Sequence, residues 1–308
     1  VVQRQGLINA VTPPACQPRD FGRHQLSNTS PAMRRDILPS FQVEQKMEET
    51  VTLQAQPGAA YSAQAGLATR LSAMLRSMRV VDLSPTLERG IPNWPMHPPL
   101  VIDKARLSGR DGYYCQFLMI SEHTGTHVDA PVHFHEHLLH MSIDTFPADI
   151  LIAPAVLYDF SDKHMQPGDL VTLNMVKAYE AENGVQIGEG EIPLINFGWM
   201  QRFWRTDDAS TWFVKNAPGI HEDAIIYFKD RGIRAIGCDT VACDMAVIDG
   251  VGQETTGHTT HWLPNGILII EMLTNLHKLS LRSLFVATPL KIKEGSGSPI
   301  RPLAFCEE

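Results

Sequence analysis

The stretch His123-Thr124-Gly125-Thr126-His127-Val128-Asp129-Ala130-Pro131-Val132-His133-Phe134 gathers three imidazoles and a carboxylate around a glycine and a proline. The spacing argues against a helix. His123 and His127 would share a helical face, but Asp129 would stand about 200° further round and could not join them. Along a strand, His127 and Asp129 point the same way, while a straight run would hold His123 about 13 Å from His127. The chain must therefore curl, and Gly125 can supply the curl because it accepts backbone angles that a side chain forbids. Imidazole nitrogen with carboxylate oxygen, and no thiolate, suits a borderline divalent ion, Zn²⁺ or Mn²⁺. Three protein ligands would leave a coordination position open to water, the arrangement of a catalytic site. A single histidine is more often an ordinary hydrogen-bonded residue; a cluster at this spacing points to a metal with a base beside it.

Composition narrows the class. A chain of 308 residues with 44% hydrophobic content has room for a full core in one large domain or two small ones. The formal net charge of −8, with no basic patch, argues against nucleic acid or an anionic membrane surface as partner. No apolar run reaches eighteen residues, so no membrane span is expected. Cys16, Cys115, Cys238, Cys243 and Cys306 are odd in number and lack a Cys-x-x-Cys spacing, which favours reduced thiols in a cytoplasmic compartment over a disulfide framework or a zinc-thiolate site. No Gly-rich phosphate loop or Gly-x-Ser-x-Gly elbow is present, which disfavours nucleotide-dependent and serine-hydrolase chemistry.

The chain divides near residue 79. Residues 1–78 are rich in glutamine, proline, alanine and serine, with weak apolar periodicity, and are expected to form a low-complexity extension that does not order itself. Its arginine-rich, acid-poor start fits an organelle-targeting segment, and its prolines and lack of an initiating Met fit a fragment or upstream extension as well. Truncation before residue 60 is expected to leave a soluble and active protein. At the end of the extension Leu67, Leu71, Met74, Leu75 and Met78 fall at helical spacing and predict an amphipathic helix that docks on the protein or on a dimer partner. Within 79–308, strands are expected around 113–121, 155–158, 193–197, 233–237, 267–273 and 284–288. Two helices are expected. One runs from about Leu173 to Glu182, entered from Thr172 and closed by Asn183-Gly184; the other runs from about Glu222 to Asp230 and ends at Gly232. The order predicts a mixed α/β domain.

Every fixed position of the quoted run resembles the HxGTHxDxPxHF signature of the cyclase-type metal-dependent hydrolases, which include kynurenine formamidase and isatin hydrolase. Val81-Asp82-Leu83-Ser84, Asn93-Trp94-Pro95, Gly198-Trp199, Pro218-Gly219-Ile220, Gly237-Cys238-Asp239-Thr240 with Asp244, and Ser298-Pro299-Ile300-Arg301-Pro302 resemble further family elements in the right order. The resemblance implies a swivelling β/β/α catalytic domain over 79–308 that assembles as a homodimer or homotetramer. It implies His123, His127 and Asp129 as ligands of a first metal, with Asp129 bridging to a second ion where two are bound, and His133 as catalytic base. Glu271 fits the second-metal Glu. It sits in the apolar run Gly266–Glu271, where an unpaired charge would be costly and a cation would resolve the cost. Its His partner is His258 or His261, thirteen or ten positions earlier; His258 is preferred, and the family's common spacing of twelve falls on Thr259, so the chain could hold one ion or two. His135, His137 and His140 are read as solvated or hydrogen-bonded.

A divalent ion at this site would lower the pKa of water and polarise an amide carbonyl, with His133 moving the proton, so amide hydrolysis is the expected reaction. Trp94, Phe134, Trp199 and Trp204 are candidates for an aromatic wall, and Trp94, in a Pro-flanked loop, is the one chosen. The substrate is then a small aromatic amide: an N-formyl aryl amide, which would place the protein in tryptophan breakdown, or a cyclic amide such as isatin. Met96-His97-Pro98-Pro99 stands where kynurenine formamidases are expected to carry Gly-Asp, which tilts the expectation towards a cyclic or otherwise different substrate. A metal-dependent binding protein without catalysis is the remaining alternative, and His133 beside the ligand set counts against it.

Overall fold

The computed structural model describes residues 66–253 and 255–307. The expectations for residues 1–65, and Cys16 with them, lie outside the described residues. Among the described residues fifteen strands follow in chain order: β1 Arg79–Asp82, β2 Val101–Arg106, β3 Cys115–Met119, β4 His127–Asp129, β5 Ile152–Asp159, β6 Leu170–Val171, β7 Ile192–Asn196, β8 Gly219–Ile220, β9 Ala235–Cys238, β10 Val247–Ile248, β11 Val251–Gly252, β12 Leu268–Glu271, β13 Arg282–Val286, β14 Gly297–Pro299 and β15 Leu303–Cys306. The helices are α1 Leu67–Ser77, α2 Ser108–Asp111, α3 Leu173–Asn183, α4 Trp199–Phe203, α5 Ser210–Lys215 and α6 Glu222–Asp230.

Nine strands form one sheet in the order β1-β15-β13-β5-β7-β9-β12-β4-β14. Its centre, β5-β7-β9-β12, is parallel, and the flanks on both sides are antiparallel. Parallel strands are covered on both faces, which is why β7, β9 and β12 are buried at every residue and read as continuous apolar runs rather than alternating ones. The period of two still sorts their side chains. From β5, Val156 and Tyr158 enter the core beneath the helices, while Ala155 and Leu157 enter a second core on the opposite face.

That second core is enclosed because the sheet curls. Thr274, just past β12, donates its N–H to Leu83 O at 2.9 Å, and Asn275 Nδ2 donates to Asp82 O at 2.9 Å. In the sheet order β1 and β12 are six steps apart, which would span roughly 29 Å if the sheet were flat. The fold is the mixed α/β domain that the order of elements predicts, and its sheet is curled.

The two expected helices have local causes. Thr172 caps α3 by accepting the Met175 N–H, and Gly184 closes it in the left-handed region. In α6, Glu222 and Asp223 face the positive end of the helix dipole, and Ala224, Ile225 and Phe228 form its buried stripe. Truncating a fully buried phenylalanine such as Phe228 to Ala costs about 3–5 kcal/mol.

The predicted amphipathic helix exists as α1, but it buries none of its residues. Leu67, Leu71 and Met74 are exposed, while Leu75 and Met78 are half-buried along a groove shared with Val80 and Phe305. The β2–β3 hairpin also stands apart as a separate two-stranded sheet, and every residue of β3 is exposed.

Candidate metal centre

The signature run becomes the short strand β4, and the period of two puts His127 and Asp129 on the helix-side face while Val128 enters the enclosed core. Antiparallel register sets Glu271, the last residue of β12, directly opposite His127. Two acids and a histidine thus converge at the carboxyl ends of the parallel strands, the side on which open α/β sheets place their ligands.

The curl expected at Gly125 is present: its φ is +60°, and the His123 ring returns to within 5.2 Å of the His127 ring, centroid to centroid. Gly297 on β14 completes the fit, since a Cβ there would stand 2.6 Å from Val128 O and 2.8 Å from His123 Cε1. The 257–261 turn delivers the last histidine. His258 is buried and its Nε2 lies 3.4 Å from Asp129 Oδ2 and 3.6 Å from Glu271 Oε1. His261 instead reaches outward to Glu222 Oε1 at 3.0 Å.

Each inward nitrogen is oriented by a partner on the other side of its ring. His127 Nδ1 lies 2.7 Å from Gly125 O, so it carries the proton and leaves the Nε2 lone pair facing Asp129 Oδ1 at 3.4 Å and Glu271 Oε2 at 3.5 Å. His258 Nδ1 meets Asp244 Oδ1 at 2.6 Å, and Asp244 also accepts from the His258 N–H and the Thr255 hydroxyl. His123 Nε2 meets Ser296 Oγ at 2.8 Å; that hydroxyl donates to Glu122, which makes it an acceptor from His123 and leaves Nδ1 on the Asp129 side at 2.7 Å. Histidines held in this way by carboxylate or carbonyl partners are the usual ligands of bound metals.

The donor set fits a divalent ion. Ligand atoms 2.0–2.2 Å from a tetrahedral ion lie roughly 3.3–3.6 Å from one another; His127 Nε2 stands 3.4 and 3.5 Å from Asp129 Oδ1 and Glu271 Oε2, and His258 Nε2 stands 3.4 and 3.6 Å from the other oxygen of each carboxylate, so the two acids lie between the two histidines. Asp129 also belongs to an adjoining group with His123 and His133, so one carboxylate is shared between two candidate ligand sets.

Without a cation the charges in the site are strained. Burial, reinforced by the Asp129 carboxylate, pushes Glu271 up to about 7. Burial also opposes charge on His258, but the Asp244 carboxylate outweighs it and holds His258 well above the ordinary histidine value. Burial pulls His127 down to about 4. His133 is pulled down to about 3, by burial first and then by the neighbouring imidazoles against the opposing pull of Asp129, so its ring is neutral.

His133 ends a short 3₁₀ turn entered from Pro131, and its ring stacks on His123 at 3.9 Å. Together these groups form the floor of a cavity of about 400 Å³, with Trp94, Met96, Phe134, Val241, Met245 and Met272 among its walls. No lysine or arginine lines it among the described residues. Phe134 therefore joins the wall with Trp94, whereas Trp199 is fully buried in the core and Trp204 packs against the core from the surface. His135 donates from Nε2 to His258 O at 3.0 Å, and His137 and His140 are exposed.

Sequence reasoning named no role for Asp244, Glu122, Ser296 or His97, although all four touch the site or its ligands. Asp244 stood in a quoted motif and Glu122 beside His123, so each left a faint signal; Ser296 left none.

Buried imidazoles and carboxylates at one end of a curled mixed sheet, above an apolar cavity, define a metal-dependent hydrolase architecture. The comparisons with known proteins agree. The family model described as "Putative cyclase" matches residues 81–245, more than half of the chain. The isatin hydrolase of Roseibium aggregatum is 31% identical over 267 residues, which cover 80% of this chain and 97% of that protein. The kynurenine formamidase of Bacillus cereus is 26% identical over 233 residues, covering 74% of this chain and 97% of that one. Among solved structures, isatin hydrolase A from Ralstonia solanacearum superposes with a TM-score of 0.68 at 28% identity, over 80% of this chain and all of that chain. The chain belongs to the cyclase family of hydrolases.

Proposed function

We propose that this protein is a divalent-metal-dependent hydrolase that opens the amide bond of a small, neutral, cyclic aryl amide of the isatin type. The observation that carries the chemistry is the convergence of His127, Asp129, His258 and Glu271 at the separations of a metal's ligand shell, with His123 on the far side of Asp129. The set of nitrogen and oxygen donors without sulfur selects Mn²⁺ or Zn²⁺. A divalent ion held there supplies a Lewis acid for the amide carbonyl and acidifies water.

The chain's own residues do the rest. His133, neutral and at the cavity floor, accepts the proton of the attacking water on a ring nitrogen and returns it to the departing amide nitrogen. Trp94 and Phe134 hold the aryl group against an apolar wall. The absence of a lining lysine or arginine selects among substrates. N-formylkynurenine carries a charged amino-acid group, ammonium and carboxylate, whose carboxylate would meet no lysine or arginine of the lining, whereas a neutral cyclic amide brings no such charge. The 31% identity to an isatin hydrolase, against 26% to a kynurenine formamidase, supports the same choice.

We further propose a homodimer. Phe117, Leu118 and Met119 on β3 are each about half exposed, on both faces of an isolated two-stranded hairpin. A lone hairpin is marginally stable in water and exposed apolar area of this kind marks a contact, so a second copy is its occupant. Among the described residues no helix is long and apolar enough to cross a membrane. Cys115, Cys238, Cys243 and Cys306 are all free thiols, which supports a reducing, cytoplasmic setting.

The test is an ultraviolet assay of Mn²⁺- or Zn²⁺-reconstituted protein against isatin and N-formylkynurenine, with an EDTA-treated control. Chelator-sensitive opening of isatin in preference to N-formylkynurenine is the expected result. The reverse preference overturns the substrate assignment, and turnover of neither by metal-loaded protein overturns the enzymatic one.

A further inference from the structure

His97 occupies a wall of the same cavity, one residue beyond the exposed Met96. Its ring centroid lies 5.3 Å from that of His123 and 6.4 Å from that of His133, so it stands beside the proposed base at the same cavity. The position is held by a closed turn. His97 N–H donates to Trp94 O at 2.9 Å, and Asn93 Nδ2 donates both to Trp94 O at 3.0 Å and to His97 O at 2.7 Å. The turn thus presents Trp94 and His97 to the cavity together.

The hydrogen bonding of the ring is incomplete. His97 Nδ1 is shielded from solvent and has no protein partner, and Nε2 makes no protein hydrogen bond either. A shielded polar atom without a partner is uncommon in a folded protein and costs about 1–3 kcal/mol, a cost that folds accept chiefly at functional sites. Of the two nitrogens only Nε2 remains accessible to a molecule in the cavity. Above the ordinary histidine pKa of about 6.5 an imidazole is neutral and carries one N–H. A neutral ring with one N–H is matched to a neutral carbonyl oxygen rather than to an anion.

We infer that His97 is a specificity-determining residue whose Nε2–H donates a hydrogen bond to a second carbonyl oxygen adjacent to the scissile amide carbonyl. The site would thereby select vicinal dicarbonyl compounds over aryl amides with one carbonyl. The inference rests on the amide-hydrolase assignment for its meaning in turnover, but its core is a binding preference that can be read without turnover.

The experiment compares two ligands that differ in the second carbonyl and lack a cleavable amide, 1,2-indanedione and 1-indanone, binding to metal-loaded wild type, His97→Ala and His97→Asn. Titration calorimetry gives the ratio of the two affinities for each protein, and metal analysis gives the loading. Wild type is expected to prefer the dione, His97→Ala to lose about tenfold of that preference, the scale of one hydrogen bond, and His97→Asn, which keeps an N–H donor, to recover part of it. In turnover, the KM for isatin should rise in His97→Ala by more than kcat falls. An unchanged preference in His97→Ala overturns the inference. Loss of metal from both variants overturns it too, by assigning His97 to the metal centre. If wild type opens no amide but the preference is lost in His97→Ala, the function assigned above fails and the role of His97 stands.

Discussion

Two regions of this molecule invert the ordinary distribution of polarity, in opposite senses. At the β4–β12 register, Asp129 and Glu271 are buried at 1% and 4% exposure amid apolar strands. On the β2–β3 hairpin, Phe117 and Leu118 are exposed at 58% and 53%. A lone buried carboxylate would cost several kcal/mol. Here two carboxylates face two imidazoles whose outer nitrogens are already held by Gly125 and Asp244, so the inner face is organised to receive a cation. The hairpin lacks any such internal organisation: Arg89, donating to Ile102 O, ties it to the preceding loop, but among the described residues nothing covers its apolar faces. Charge inside therefore supports the proposed ion, and apolar surface outside supports the proposed second copy.

The comparison breaks most decisively at Asp129. Asp129→Ala removes the carboxylate shared by both ligand groups, and metal content by plasma emission spectrometry and chelator-sensitive turnover should both fall to background. A metal-loaded, active variant would show that the buried acids serve packing alone. His133→Ala separates binding from chemistry. Metal should stay bound while kcat falls by a factor on the order of 10² or more, the usual scale of general acid–base catalysis. Near-normal turnover would remove His133 from the proton transfer.

Proton balance sharpens the same contrast. Without metal, His258 holds its proton well above the ordinary histidine value and Glu271 titrates at about 7, whereas a bound cation requires both deprotonated. A group holds its proton below its pKa, so falling pH adds protons that the ion must displace. Metal affinity should therefore weaken as pH drops through 7, and loading at pH 6 should release more protons than loading at pH 8. Calorimetry in two buffers of different ionisation enthalpy counts them, and loading with no proton release at pH 6 would contradict the charge states assigned to the site.

The two regions were also legible to different degrees. Local chemistry could be read directly. The Thr172 cap and Gly184 stop bound α3 within a residue of expectation, and α6 runs over the residues expected of it. The His123–His133 run carries its strand geometry and its glycine curl within its own spacing. Long-range pairing could not be read. The antiparallel flanking strands β14 and β15 give no periodic signal, because three or four residues are too few to show one. The clamp on His123 comes from Ser296, 173 positions away, and no spacing rule reaches that far. His97 was quoted only as a departure from a family pattern, and its place beside His123 emerged from the turn that Asn93 closes. The helix at 67–77 followed from its periodicity, but what its apolar face meets is a tertiary fact that periodicity does not contain.

The hairpin supplies the mildest test, because it concerns association rather than chemistry. Its two strands pair Asp103 with Phe117 and Ile102 with Leu118, so Phe117 and Met119 lie on one face and Leu118 on the other. In a chain that remained a monomer both faces would stay in water, an arrangement that soluble proteins avoid over contiguous apolar patches. Replacing Phe117 and Met119 together by Glu places two like charges on one face of the proposed contact while leaving the nine-stranded sheet and its metal centre untouched. Light scattering coupled to size exclusion should show a dimer for the wild type and a monomer for the double variant, with metal content unchanged. A wild-type monomer would mean that exposed apolar strands on this chain mark no self-contact, and a variant that remains dimeric would move the interface away from β3, with the uncovered face of α1 as the next surface to test.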